Sequence, residues 1–288
     1  MKIKFYEDIK EFVKENEKLI LEKEWLNNLM VGNYKDGLEN GADGWLLAKV
    51  ENEGKTELIM LLRRPWHLLL YSPTNNKSDE LYKFTAKEIY KVDNDIPGVL
   101  AEKEIANKFA KYYTEISSCE YKLRTPMRIL LLENLAEEKL NSKVIYRRAK
   151  PEDKDALIKF IIDFNEEALH KKYSYEEAEE KYNGYLEKGY YVLEHNGKVV
   201  SQAVLSRKLE KGKCVSGVYT PKEERGKGYA YNLVYRVSKE QLDNGAEFCV
   251  LFTDDENPIS NHIYEKIGYE RKADIEDLDF IFGDGAKK

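Results

Sequence analysis

Residues Val218 to Ala230 read VYTPKEERGKGYA, and this stretch decides how the second half of the chain is understood. A β-type run, Lys213 to Thr220, stops at Pro221. A charged loop follows, then Arg225-Gly226-Lys227-Gly228-Tyr229-Ala230, then an apolar helical pattern from Tyr231 to Leu242. The order is strand, glycine loop, helix. Glycines at 226 and 228 let the backbone approach a ligand closely, and the first turn of a helix leaves N–H groups that can receive phosphate oxygens. The stretch therefore predicts a phosphate-bearing ligand.

Two phosphate loops are excluded by spacing. A Walker loop requires Gly-Lys followed by Ser or Thr, whereas Gly228 is followed by Tyr229 and Ala230. A dinucleotide fingerprint requires G-x-G-x-x-G, and Gly226 and Gly228 supply only its first half. What fits is Arg-x-x-Gly-x-Ala, from Arg225 through Gly228 to Ala230, directly after the strand end Val218-Tyr219-Thr220. This resembles the pyrophosphate-binding motif of the GCN5-related N-acetyltransferases. Further on, Asn257-Pro258 opens a short segment that runs through Tyr264 to Lys266-Ile267-Gly268-Tyr269, and it resembles that family's second cofactor segment. Asparagine at an N-cap, proline at the first helical position and glycine at the stop also suit any short helix. The two segments in this order, separated by the strand-like run Glu247 to Phe252, carry the resemblance, which covers roughly Val144 to Phe282.

Composition narrows the remaining classes. The chain has 288 residues, long enough for two domains, and is 42% hydrophobic, enough to bury real cores. A net charge of −6 argues against duplex nucleic acid or an anionic membrane as the main partner. Cys119, Cys214 and Cys249 are odd in number and far apart, which suggests neither a disulfide framework nor a zinc site. His67, His170, His195 and His262 form no metal spacing, so no metal is expected. The N-terminus has no long apolar core, and no run approaches 18 apolar residues, so a soluble, cytoplasmic protein is expected.

In chain order, apolar spacing from Glu7 to Met30 predicts a helix or helix pair that breaks near Gly32, followed by a loop over 33–43. Gly44 to Val50, Thr56 to Arg63 and Trp66 to Ser72 read as an antiparallel meander, with Trp25, Trp45 and Trp66 as core residues. Helices are expected over Ser78 to Val92 and Leu100 to Ile116, then strands over Glu120 to Leu123 and Met127 to Leu132. Leu135 to Ser142 suits a linker helix. Thereafter Lys143 to Arg148 begins a strand, helices occupy the stretch beyond Ala149 and Tyr173 to Lys188, and Asn196-Gly197 turns a hairpin. That turn makes His195 an exposed residue. A final strand covers Tyr269 to Ile281, and the GDGAKK tail is expected to fray. The fold class is mixed α/β in two domains, cut at 142/143. Residues 143–288 carry the order β, α, α, β, β, β, α, β, α, β of the GCN5-related fold. Residues 1–142 are either a degenerate copy, which would pack and not catalyse, or an unrelated α+β domain.

The resemblance implies acetyl-coenzyme A as cosubstrate and direct transfer of its acetyl group to a primary amine on a small molecule or protein. It places Val218, Tyr219 and Thr220 along the pantetheine and thioester, with ordinary sheet packing as the plainer role. Arg225, Gly226, Lys227, Gly228, Tyr229 and Ala230 would surround the pyrophosphate. Asn257 would bond the cofactor or cap its helix. Tyr264 would protonate the leaving thiolate or serve as a half-buried aromatic, and His262 has no matching role. Cys214-Val-Ser-Gly offers no carboxylate where some family members hold a base, so a water relay or an already neutral amine is the default. Asp254-Asp255-Glu256 suits a cationic amine or the following helix's dipole. The second functional class open to the sequence is a regulatory module that binds acyl-coenzyme A without turnover.

Overall fold

The same run of elements is written twice along the chain. In the computed structural model, which describes residues 1–169 and 171–283, the first pass is β1 (Lys2–Tyr6), α1 (Ile9–Glu22), α2 (Asn28–Asn40), β2 (Leu46–Asn52), β3 (Lys55–Leu62), β4 (Leu68–Tyr71), α3 (Asp79–Val92), β5 (Gly98–Glu102), α4 (Lys103–Ser117) and β6 (Glu120–Leu132). The second is β7 (Ile145–Arg148), α5 (Lys154–Leu169), α6 (Tyr175–Lys188), β8 (Tyr190–His195), β9 (Lys198–Leu205), β10 (Gly212–Tyr219), α7 (Tyr229–Asp243), β11 (Phe248–Asp254), α8 (Pro258–Ile267) and β12 (Glu270–Ile281). The two orders are identical. His170 and the tail beyond Gly283 lie outside the described residues, and so do the expectations that fall on them.

The chain forms two compact units. One gathers Met1–Ile129, Asp254–Glu256 and the chain from Lys272 on; the other gathers Leu130–Thr253 and Asn257–Arg271. In the first unit the strands run β1-β2-β3-β4-β5-β12-β6, with β6 belonging to it through Ile129. From β1 to β12 neighbours are antiparallel except the parallel pair β4 and β5. The last strand of the second pass thus belongs to the first unit. The side chains explain why: Leu278 and Phe280 of β12 enter the core formed by β2 to β5, α3 and α4. Phe280 stacks on Tyr113 with ring centroids 4.8 Å apart. His67, 5% exposed, has one ring nitrogen on Asp277 and the other 3.2 Å from Asp279.

The second unit orders its strands β11-β10-β9-β8-β7. Its cores follow the two-residue period of a strand. Tyr190 and Val192 of β8 pack with α5 and α6. Tyr191 and Leu193 pack with α7 and α8. Helix α6 opens on a capping box, in which Ser174 accepts from the Glu177 N–H at 3.2 Å and Glu177 accepts from the Ser174 N–H at 2.7 Å.

Several local expectations are corrected. Helix α2 runs through Gly32 and Gly37 to Asn40, where a loop is predicted. Burial overrides the weak glycine propensity: Val31 and Tyr34 are fully buried, and a Cβ on Gly37 would meet the Trp45 ring at 3.3 Å. Strands β1 and β5 are missed by the sequence reading because each is only five residues long and leads closely into a helix. Pro126 does not break β6; it lacks a donor, and its carbonyl accepts from the Asp255 N–H at 2.9 Å. Residues 135–142 form no helix. Their polar backbone is satisfied from outside, as when Asn141 N–H donates to Asn232 at 2.7 Å. Trp66 is 54% exposed, and Trp25 and Trp45 are half-buried, so none of the three is a fully buried core residue.

Candidate active site

The site is built from the end of β10, the loop behind it and the start of α7. Strand β10 pairs with β11 only through Gly212, Lys213 and Cys214, against Phe248, Cys249 and Val250. Beyond that point β10 keeps its antiparallel neighbour β9, at Val215, Ser216 and Tyr219. The register passes over Gly217 and Val218, a bulge opened by the positive φ of Gly217, +56°. Two buried side chains of β9 fix it. Gln202 Nε2 donates to the Gly217 carbonyl at 3.2 Å, and Ser201 Oγ to the Tyr219 carbonyl at 3.1 Å. Thr220 Oγ1 lies 2.9 Å from the same serine hydroxyl. Sequence reasoning missed Ser201 and Gln202, since a polar residue inside a β-run carries no signal of what it binds.

After Pro221 the chain makes a short 3₁₀ turn, Lys222–Glu224, and reaches Gly226 and Gly228 at φ of +77° and +76°. L-residues resist that region, so these glycines are set by backbone geometry. A Cβ at Gly226 would meet nothing within 4 Å, and one at Gly228 only Asn232 Nδ2 at 3.8 Å, so the face they present is open. Gly228 is the N-cap of α7, and Asn232 supplies the first N–H that bonds back, to the Gly228 carbonyl at 3.1 Å. The N–H groups of Tyr229, Ala230 and Tyr231 therefore belong to the first turn, which has no acceptor within its own helix. Asn232 also donates from Nδ2 to that carbonyl at 2.9 Å. Backbone donors and open space at a helix N-terminus suit a phosphate group.

The side chains expected to help are placed differently. Arg225 donates to the Thr220 carbonyl at 2.9 Å and to Glu167 of α5 at 2.7 Å. Lys227 donates to Glu224 at 2.8 Å. Burial raises the Glu167 carboxyl, but hydrogen bonds from Arg225 and Tyr219 outweigh it and hold the group below the usual carboxylate range. The Glu224 carboxyl is lowered by Lys227. Tyr229 is buried, and its hydroxyl lies 2.9 Å from His195 Nδ1. His195 is therefore a half-buried partner of the loop and not simply an exposed turn residue, although the turn itself forms, with Asn196 and Gly197 at positive φ. Val218 packs on the α7 side of the sheet and Tyr219 on the α5 side, so the packing expected for them is present.

Helix α8 supplies the second group of candidates. Asn257 Oδ1 accepts from the Ser260 N–H at 3.1 Å, so it caps α8. Gly268 ends the helix at φ +112°, a conformation that favours glycine. Tyr264 is 8% exposed and packs edge-on against Tyr269, centroids 5.9 Å apart. Burial pushes its hydroxyl up to about 12. It is protonated at neutral pH. His262 is exposed, as expected. Cys214 is buried, with Arg207 Nη1 donating to its sulfur at 2.6 Å. Asp255 pairs with Arg128, and these acids group with the first unit. Among the described residues no cluster of three His, Cys, Asp or Glu side chains is placed to hold a metal, and no helix is long and apolar enough to cross a membrane.

The corresponding loop of the first pass, between β4 and α3, is tied to a side chain of β3. Thr74 and Asn76 both bond Glu57, and Asp79 and Glu80 occupy the first turn of α3. Carboxylates stand where an anion cradle would need donors.

Residues 155–269 match the family model for the acetyltransferase (GNAT) family. The second unit carries a GNAT domain. No curated protein sequence matches the chain. Among solved structures, a GNAT-family acetyltransferase from Colwellia psychrerythraea aligns with TM-score 0.63 at 13% identity, over 98% of this chain and 100% of that one. A GCN5-related N-acetyltransferase from Sphaerobacter thermophilus gives 0.62 at 14%, over 96% and 95%. A tandem GNAT protein from the clavulanic acid biosynthesis pathway gives 0.58 at 10%, over 97% and 98%. At such identities the likeness is one of fold. It extends over nearly the whole chain, which accords with the repeated element order: two GNAT-like domains, with the family model falling on the second.

Proposed function

We propose that the chain is an N-acetyltransferase that uses acetyl-coenzyme A and passes the acetyl group directly to a primary amine of a small molecule or protein. One observation supports this most. Gly226 and Gly228 open the first turn of α7 beside a β10 that has left its ladder with β11, so backbone donors line a strand end and a helix start together. Acetyl-coenzyme A, when bound, supplies a thioester activated toward amines. The backbone of Val218, Tyr219 and Thr220 orients that end of the cofactor, and the loop from Arg225 to Ala230 receives the phosphates, chiefly through N–H groups. Tyr264 holds a proton at Oη at neutral pH and is the candidate acid for the departing sulfur. Asn257 shapes this edge by capping α8.

Incubating the protein with acetyl-coenzyme A and a panel of amines, and measuring thiol release, tests the proposal. Release above the amine-free rate with at least one amine is expected. Tight cofactor binding with no turnover on any amine would instead favour a regulatory module that binds acyl-coenzyme A.

A further inference from the structure

Both cations of the glycine loop already hold carboxylates. Lys227 meets Glu224 within the loop, but the partner of Arg225 comes from 58 residues earlier: Glu167 on α5 accepts from Nη2 at 2.7 Å. The second oxygen of Glu167 accepts from the Tyr219 hydroxyl at 3.1 Å, and Lys222 stands 3.6 Å away. Arg225 meanwhile donates from Nε to the Thr220 carbonyl and lies over the Tyr219 ring, 5.6 Å from its centroid. The guanidinium is folded back on the stem of its own loop, with a carboxylate answering its charge.

We propose that Glu167 is a positioning residue that competes with the cofactor's phosphates for Arg225 and so holds acetyl-coenzyme A affinity below what the open loop would reach. This rests on the acetyl-coenzyme A reading above. The pair is suited to yielding. Its side chains are 46% and 29% exposed, and ion pairs in such positions are weakened by water and salt. A polyanion offers the guanidinium more negative charge than one carboxylate does, and arginine's planar fork donates to phosphate oxygens as it does to a carboxylate. With its carboxyl held below the usual range, Glu167 remains charged through neutral pH. The opposite role is that Glu167 only steadies Arg225 where a phosphate requires it. The two roles predict opposite signs for the same substitution.

Calorimetric titration of the full chain with acetyl-coenzyme A decides between them. Glu167→Gln keeps the shape and removes the charge; it should tighten binding by about two- to fivefold, the range expected for an exposed ion pair. It should also steepen the loss of affinity with added KCl, because one more uncompensated cation faces the phosphates. Arg225→Gln should weaken binding, and in the Arg225→Gln background Glu167→Gln should have no further effect. Weaker or unchanged binding by Glu167→Gln, in a variant whose melting temperature matches the parent, overturns the proposal and leaves the acetyl-coenzyme A reading intact. A parent chain that binds no acetyl-coenzyme A removes both readings.

Discussion

Gly228 offers the sharpest test of the loop, because strain and charge can be separated there. At φ +76° an alanine is disfavoured by roughly 1–2 kcal/mol. Its Cβ would meet only Asn232 Nδ2 at 3.8 Å, an ordinary contact, so strain is the whole cost. That strain is present with and without ligand and largely cancels from binding. Gly228→Ala should therefore lower stability and leave acetyl-coenzyme A affinity within about threefold, taking roughly 0.6 kcal/mol as the residual. Gly228→Glu carries the same strain plus a carboxylate at the N-terminus of α7. An anion there favours the helix by about 0.3–1 kcal/mol, so the glutamate variant should melt at or above the alanine variant. Toward the cofactor the sign reverses. Two like charges about 5 Å apart repel by roughly 1 kcal/mol in water and roughly 3 kcal/mol at an effective dielectric of 20, which predicts about a 5- to 150-fold loss relative to Gly228→Ala. Scanning calorimetry and isothermal titration of the two variants measure both quantities. Equal affinities for the alanine and glutamate variants would refute phosphate binding at this helix start.

Tyr264→Phe removes only the hydroxyl of a ring packed in an apolar cluster, so it should cost little stability yet lower kcat on an identified amine by at least about tenfold; a parent-like kcat, with chemistry rate-limiting, makes Tyr264 a packing residue. Its raised folded pKa of about 12 means that its contribution to stability is complete below about pH 10, the unfolded value, and is lost as pH rises toward 12. Base titration of the fold should accordingly show a shallower decline over that window in Tyr264→Phe than in the parent. Titration of the parent should saturate at one acetyl-coenzyme A per chain, because Thr74, Asn76, Asp79 and Glu80 close the first-pass loop; two equivalent sites would contradict that. Gly268→Ala should destabilise the fold by about 2 kcal/mol or more in urea denaturation, since φ is +112° and its Cβ would lie 2.8 Å from the Asn134 carbonyl oxygen and 3.0 Å from the Ala136 nitrogen; a change below 0.5 kcal/mol would show that this corner relaxes freely.

What the sequence determined alone were features whose physics is local. The glycine loop at a helix start, the Asn196-Gly197 turn, the Asn257 cap and the Gly268 stop each depend on one or two residues and their own backbone, and each is present as read. The element order of the second pass followed from the same punctuation. Partner choice was decided only by tertiary structure. That β12 belongs to the first unit depends on Phe280 meeting Tyr113 and on His67 meeting Asp277 and Asp279, pairings between residues more than 150 positions apart that no local pattern encodes. The continuation of α2 through two glycines is likewise settled by what Val31, Tyr34 and Trp45 bury. At the site, the sequence located the backbone donors, but the side chains that hold the loop, Glu167 on Arg225, His195 on Tyr229 and Gln202 on the bulge, come from distant elements. A charge or an imidazole shows its chemistry in the sequence, whereas the group it neutralises or orients is fixed only once burial has brought the two together.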